Sequence, residues 1–280
     1  MNASPAPTLT YVYAVTPPAP LLDDVLPTLA GVAGRPVTLL PPVPDDTAPA
    51  PVAFVISDVP QADFAEAALQ DHFEDLRWLE ETARAHHHVI ETLAGHTTVL
   101  PLRMATLYED HTRALRALGE QSQLFATRLA QLSAHTEYGV KIYVLPAKAP
   151  EPATPPAATS PGKAYLQARR VQRDSREEHF QQARLAADRL TAVAARYQAP
   201  RVTHPPQSGP LTAPADGENV LNDAFLVPDA QADSFRAAVR DAVADLPGIR
   251  LEVTGPWAPY SFATPPSAAE PPLPPIAPAP

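Results

Sequence analysis

Apolar and polar positions along this chain change period several times, and each change marks an element. Tyr138, Val140, Ile142 and Val144 alternate with Glu137, Gly139 and Lys141, the period of a strand buried on one side. Earlier, Leu9 to Val15 and the short apolar runs Val37 to Leu40 and Val52 to Ile56, set off by prolines, read as strands of a first sheet. From Asp63, a suitable N-cap, the residues Phe73, Leu76, Leu79, Ala83, His86, Ile90 and Leu93 recur at three-four spacing. They predict an amphipathic helix with a break near Asp71 and a stop at Gly95. Val99 to Leu102 is a short extended segment through Pro101, and a helix from about Asp110 to Ser133 ends the first half.

The second half predicts a helix from Gly162 to Gln198, with Phe180, Ala183, Ala187, Leu190, Ala194 and Tyr197 as its buried seam. A short strand at Arg201 to His204, a strong one at Val220 to Val227, a helix from Asp229 to Asp245 and a strand at Ile249 to Val253 follow. The order β-α-β-β-α-β is that of the ferredoxin-like arrangement, with two helices on one face of a four-stranded antiparallel sheet. VLNDAFLV is apolar at both parities, as a central strand is, so the face away from the helices is expected to be partly apolar, and either capped by the other domain or used to bind something. The predicted fold is α+β in two domains: an N-terminal α+β domain over 1–134 and a ferredoxin-like domain over 135–262, followed by a proline-rich tail over 263–280.

Proline placement sharpens this division. The 37 prolines gather at the start, around 41–60, 146–161 and 200–214, and after 256, where flexible or polyproline segments are expected. In Thr254 to Phe262, reading TGPWAPYSF, Pro256 and Pro259 predict a stiff loop that is neither helix nor sheet. Trp257 and Phe262 there are expected to close the edge of a core; the sharper reading makes Trp257 and Tyr260 anchors for a partner.

A chain of 280 residues, 45% hydrophobic, supplies two ordinary cores. Its formal charge of −10 argues against general binding to nucleic acid or anionic membranes. No apolar run approaches the roughly 18 residues of a membrane span, and the N-terminus lacks the regions of a signal peptide, so a cytoplasmic protein is expected. With no cysteine, disulfides, thiolate catalysis and cysteine-based zinc sites are excluded.

The remaining polar motifs point away from chemistry. Adjacent helical residues His86, His87 and His88 point in different directions and do not converge on one metal; His86 continues the apolar stripe and is expected at the core boundary. There is no GxSxG elbow and no GxGxxG or GxxxxGK[ST] loop. Glu137 and Asp223 are poor substitutes for the basic and aromatic residues of an RNA-binding sheet. The carboxylate pairs Glu80/Glu81 and Glu177/Glu178 lack opposed geometry. Lys163 to Arg196 carries eight basic residues against four acidic ones, a solvated face or, second, a site for an acidic partner. Arg103 follows an extended segment in PLRMATLY, and a structural clamp is expected of it.

Taken in order, TYVYAV, LRWLEETARAHHHVIETL, TVLPLRMATLYED, EYGVKIYV, GKAYLQARR, VLNDAFLV and TGPWAPYSF resemble the gas vesicle protein GvpL/GvpF family. The resemblance implies an accessory protein of gas vesicle formation, acting with the small hydrophobic shell protein and other accessory proteins in the cytoplasm or on the vesicle. It implies no catalysis, cofactor or metal. It puts Arg103, Lys141, Tyr165, Trp257 and Tyr260 on motif positions, as candidate partner-binding residues. After the arginine the family usually has Phe-Gly; Met104 and Ala105 stand here, with a bulkier and less flexible residue at the local turn. The alternative is a ferredoxin-like small-molecule binder or enzyme, with Arg103, Lys141 and His86 lining a polar pocket between domains.

Overall fold

The computed structural model describes residues 6–41, 51–146, 161–207 and 217–263, without the side chains of 161–165 and 168. The expected proline linker beyond residue 146 and the tail from residue 264 lie outside the described residues. The rest form two compact units: those within Met1–Ser133 and Ala258–Pro280, and those within Ala134–Trp257.

The first unit opens with β1 (Thr8–Thr16), α1 (Leu22–Val25), β2 (Thr38–Leu40) and β3 (Ala53–Pro60). It continues through α2 (Gln61–Phe64), α3 (Glu66–His72), α4 (Leu76–Ala94), β4 (Leu100–Pro101), β5 (Leu107–Tyr108) and α5 (His111–Leu132). The antiparallel sheet runs β2-β3-β1-β4, with β5 also on β1. Tyr11 to Thr16 are buried on both faces, as expected of a strand sandwiched between helices. On one face Tyr11, Tyr13 and Val55 pack with Val89, Ile90 and Leu93 of α4. On the other, the Phe54 ring lies 5.9 Å from that of Phe125 on α5.

Asp63 does not start the long helix; it lies within α2. The chain turns extended at Ala65 and breaks again before Asp75, whose carboxylate accepts the N–H groups of Arg77 at 2.9 Å and Trp78 at 3.3 Å. Those bonds satisfy donors that a helix start leaves unpaired, so α4 begins there. Asp110 does the same for α5, accepting from Arg113 N–H at 2.8 Å.

The second unit comprises β6 (His135–Val144), α6 (Pro161–Arg196), β7 (Arg201–Thr203), β8 (Glu218–Pro228), α7 (Ala232–Asp241) and β9 (Ile249–Trp257). Its antiparallel sheet runs β7-β8-β6-β9. Val140, Ile142, Leu221, Phe225 and Val227 meet Ala183, Ala186, Leu190 and Ala194 of α6 and Phe235 and Val239 of α7. α7 ends earlier than its sequence predicts: Arg189 donates to the Ala242 carbonyl at 3.0 Å and pairs with Asp245, fixing a turn where more helix was expected. The far face is partly apolar as expected, with Tyr143, Ala224 and Leu226 buried on it.

β9 also departs from expectation. Thr254 to Trp257 extends the strand instead of forming a loop, across a register shift between Glu137 and Gly139 on β6, and Trp257 pairs with Glu137. An edge strand with a bulge tolerates Pro256 because its missing N–H is not needed by the ladder. Gly255 takes φ 111°, and a Cβ there would lie 2.8 Å from the Glu137 carbonyl oxygen. The last described helix, α8 (Tyr260–Ala263), follows directly. Ala258 onward groups with the first compact unit.

Candidate functional site

Two tyrosines with strand period organise the polar interior of the first unit. Tyr11 and Tyr13 point to the α4 face, and both are fully buried. The Tyr13 hydroxyl accepts the Val32 N–H at 2.8 Å and donates to Ser57 Oγ at 2.9 Å, which donates to the Pro36 carbonyl at 2.7 Å. Gly31 is required beside this chain, since a Cβ there would run into the Tyr13 hydroxyl and Ser57 Oγ. The Tyr11 hydroxyl accepts the Ala105 N–H at 3.1 Å and lies 2.9 Å from His86 Nδ1. With one proton and two lone pairs, the hydroxyl donates to Nδ1 or accepts from it according to the imidazole tautomer.

His86 is accordingly a core residue and not a boundary one. Burial lowers its pKa to about 4, with the Leu102 carbonyl working weakly the other way, so the ring is neutral over most of the pH range. Burial also pushes the Tyr11 hydroxyl well above its ordinary pKa. Neither group is poised for proton transfer near neutrality.

Around this pair the sheet edge bulges. Leu100 and Pro101 pair with Val15 and Ala14, and Leu107 and Tyr108 with Tyr11 and Thr10, so residues 102–106 cross over Val12 and Tyr13 as an outward loop. Leu102 N–H donates to the Tyr13 carbonyl and Val12 N–H to the Thr106 carbonyl, both at 2.9 Å. The Arg103 carbonyl accepts from Thr106 N–H at 3.2 Å and Thr106 Oγ1 at 2.7 Å. The clamp expected of Arg103 is thus made by its backbone, and its side chain is exposed. Ala105 keeps the tight turn, at a φ of 61° that is usually left to glycine.

The closing segment docks beside this bulge, with α8 against β4. Ala258 is buried, its N–H donating to Glu91 Oε1 at 3.3 Å, and the Tyr260 hydroxyl stands 3.2 Å from His87 Nδ1. Arg103 and Tyr260 therefore belong to one unit. Lys141 and Trp257 belong to the other.

Lys141 Nζ lies 3.2 Å from Gln207 Oε1 and 3.6 Å from Glu252 Oε1. Glu252 also pairs with Arg250, which stacks 3.8 Å over the Tyr143 ring. The Lys141 charge is thus matched within its own sheet. Trp257 does not close a core: its side of β9 leaves it 41% exposed, and the small Ala258 takes the buried position instead. The Tyr165 side chain lies outside the described residues. A pocket of Arg103, Lys141 and His86 does not form within either unit. Among the described residues no three metal-ligating side chains converge, and no helix is long and apolar enough to cross a membrane.

The Tyr11–His86 bond, Gly31 and the Glu91–Ala258 bond were not legible in the sequence. The i, i+2 spacing of Tyr11 and Tyr13 signalled a shared face, but nothing local named their partners.

The architecture is that of solved gas vesicle proteins. The chain matches GvpF from Anabaena sp. PCC7120 with a TM-score of 0.59 at 19% identity, covering 92% of this chain and 96% of that one. GvpF from Microcystis aeruginosa matches with a TM-score of 0.56 at 19% identity, over 91% and 99%. The chain belongs to the family described as gas vesicle synthesis protein GvpL/GvpF, whose profile matches residues 9–264. Among its relatives is gas vesicle protein L of Streptomyces sp. (strain CB03234), 40% identical over 259 residues, 91% of this chain and 92% of that protein. Gas vesicle protein F of the same strain is 28% identical over 205 residues, 70% and 83% of the two chains.

Proposed function

We propose that this chain is a non-enzymatic accessory protein of gas vesicle formation that binds the small hydrophobic shell protein during assembly and acts in the cytoplasm or on the vesicle. The observation that carries the reading is the family match over residues 9–264, nearly the whole chain. The higher identity to the L relative, 40% against 28% for F, favours the L branch. Two compact units support a two-domain chain divided near residue 134. The β-α-β-β-α-β order with sheet order β7-β8-β6-β9 supports a ferredoxin-like second domain.

Shell subunits expose apolar surface until they assemble, and covering it is favourable by about 25 cal/mol per Å². Trp257, exposed at the end of β9, offers an aromatic anchor of the kind that dominates binding energy. In the first unit, Arg103 on the bulge and Tyr260 on α8 are further proposed contact residues. Lys141 is assigned to ordering its sheet.

The test is co-purification of the tagged chain with a soluble form of the shell subunit, beside Trp257→Ala and a chain ending at Ala263. Recovery of the subunit that falls about tenfold or more in folded Trp257→Ala supports both the partner and the anchor. Unchanged recovery moves the contact elsewhere. A wild-type chain that emerges alone removes direct shell binding.

A further inference from the structure

Strand β9 lies at the end of its sheet, with β6 on one side and no described strand on the other. Its register with β6 decides which of its backbone groups are left over. Leu145 N–H donates to the Gly248 carbonyl at 2.9 Å, and Val144 lies opposite Ile249. Bonded and non-bonded pairs alternate along an antiparallel ladder, so Tyr143 with Arg250 and Lys141 with Glu252 exchange hydrogen bonds. The N–H and carbonyl groups of Ile249, Leu251 and Val253 therefore point away from β6. Such a row is a template for one more strand.

The side chains narrow what that strand can be. Ile249, Leu251 and Val253 stand on the helix side, partly buried against the core. Arg250 and Glu252 stand on the opposite side, 3.1 Å apart and each 34% exposed. The segment mirrors itself about Leu251, with a β-branched residue at either end and opposite charges in between.

We propose that β9 pairs antiparallel with β9 of a second copy of this chain, about a twofold axis through Leu251. In that register Leu251 faces its own counterpart and Ile249 faces the partner's Val253, so each outward N–H meets an outward carbonyl. Arg250 faces the partner's Glu252, and Glu252 the partner's Arg250, in the non-bonded pairs that bring side chains closest. Only axes through alternate residues join outward groups. An axis through Ile249 sets Arg250 against Gly248, and one through Val253 sets it against Pro256, so the Leu251 axis is the one that pairs the charges. Pro256, which has no N–H to donate, lies beyond the paired stretch. The contact uses the same patch on both copies and closes at a dimer. It does not rest on shell binding.

Sedimentation velocity of the full chain over a concentration series, taken to the solubility limit, tests it. A monomer–dimer equilibrium with no larger species is expected. Arg250→Glu sets like charges opposite each other at both places, and so does Glu252→Arg; each alone should raise the dimer dissociation constant about tenfold or more. Mixed in equal amounts, the two variants restore both charge pairs and should form a mixed dimer. The double variant, Arg250→Glu with Glu252→Arg, should dimerise with itself. Amide exchange of the wild type gives a reading free of substitutions: the N–H groups of Ile249, Leu251 and Val253 should exchange about tenfold or more slowly where dimer dominates than in dilute monomer. A wild-type chain monomeric throughout overturns the proposal. So does a dimer that the single variants leave intact, a mixture or double variant that fails to dimerise, or exchange at these residues that ignores concentration. Circular dichroism checks that the variants are folded, and if one is not, the wild-type exchange series decides.

Discussion

The Tyr11 hydroxyl and His86 Nδ1, 75 positions apart in sequence, meet at 2.9 Å inside the first unit and form a buried hydrogen bond. Burial sets the direction. The folded pKa of His86, about 4, lies below the ordinary 6.5, so between these values the unfolded chain binds a proton that the native one does not.

Stability is therefore expected to be full above about pH 6.5 and to fall as pH drops towards 4, by on the order of 3 kcal/mol from this residue. His86→Phe should flatten that part of the profile while retaining the aromatic packing. Urea unfolding of the two proteins from pH 4 to pH 7 checks it; parallel profiles would assign the acid sensitivity to other groups.

Ala105 occupies a left-handed conformation that disfavours any Cβ. Ala105→Gly is expected to stabilise the first unit by about 0.5–1 kcal/mol, and Ala105→Val to destabilise it by about 1 kcal/mol or more. Chemical denaturation monitored by near-ultraviolet signals of Tyr11 and Tyr13 reads both. A glycine variant no more stable than wild type would show that the turn is strained in some other way.

Asp223 is fully buried on the helix-facing side of β8, and Arg201 Nη2 approaches its Oδ2 to 2.7 Å, outside the angular range of a hydrogen bond. Removing the cation alone leaves an uncompensated charge, so Arg201→Ala should cost about 3 kcal/mol. Arg201→Met combined with Asp223→Leu should cost much less than that. A double variant as damaged as Arg201→Ala would show that the pair does more than neutralise itself.

Deleting residues from Ala258 onward removes the Glu91–Ala258 and His87–Tyr260 contacts from α4. Amide exchange along His87 to Leu93 should then accelerate at least tenfold, while α7 of the second unit keeps its protection. Unchanged protection in α4 would make the closing segment an ornament of the surface.

The sequence made some of this legible and hid the rest for definite reasons. The alternation of Tyr138 to Val144 and the Phe180 to Tyr197 seam announced β6 and α6, because each repeat spans enough residues to define one face. The helix start near Asp110 was legible because one apolar-periodic run begins just after it. Asp63 and Asp75 both precede such runs, and only the extended Ala65 between them decides in favour of Asp75. Pro256 argued for a loop; edge pairing with a bulge removed the objection. The candidate residues were legible as motif positions but not as a cluster, since Arg103 with Tyr260, and Lys141 with Trp257, were sorted into separate units by tertiary contacts.

The return of Ala258 to Ala263 to the first unit also sets an order of birth. A ribosome releases residues 1–133 long before it makes the piece that completes them, and by then the whole span Ala134–Trp257 has been synthesised. The second unit is thus free to mature first, and the first unit reaches its final form only after Ala258 to Ala263 have emerged.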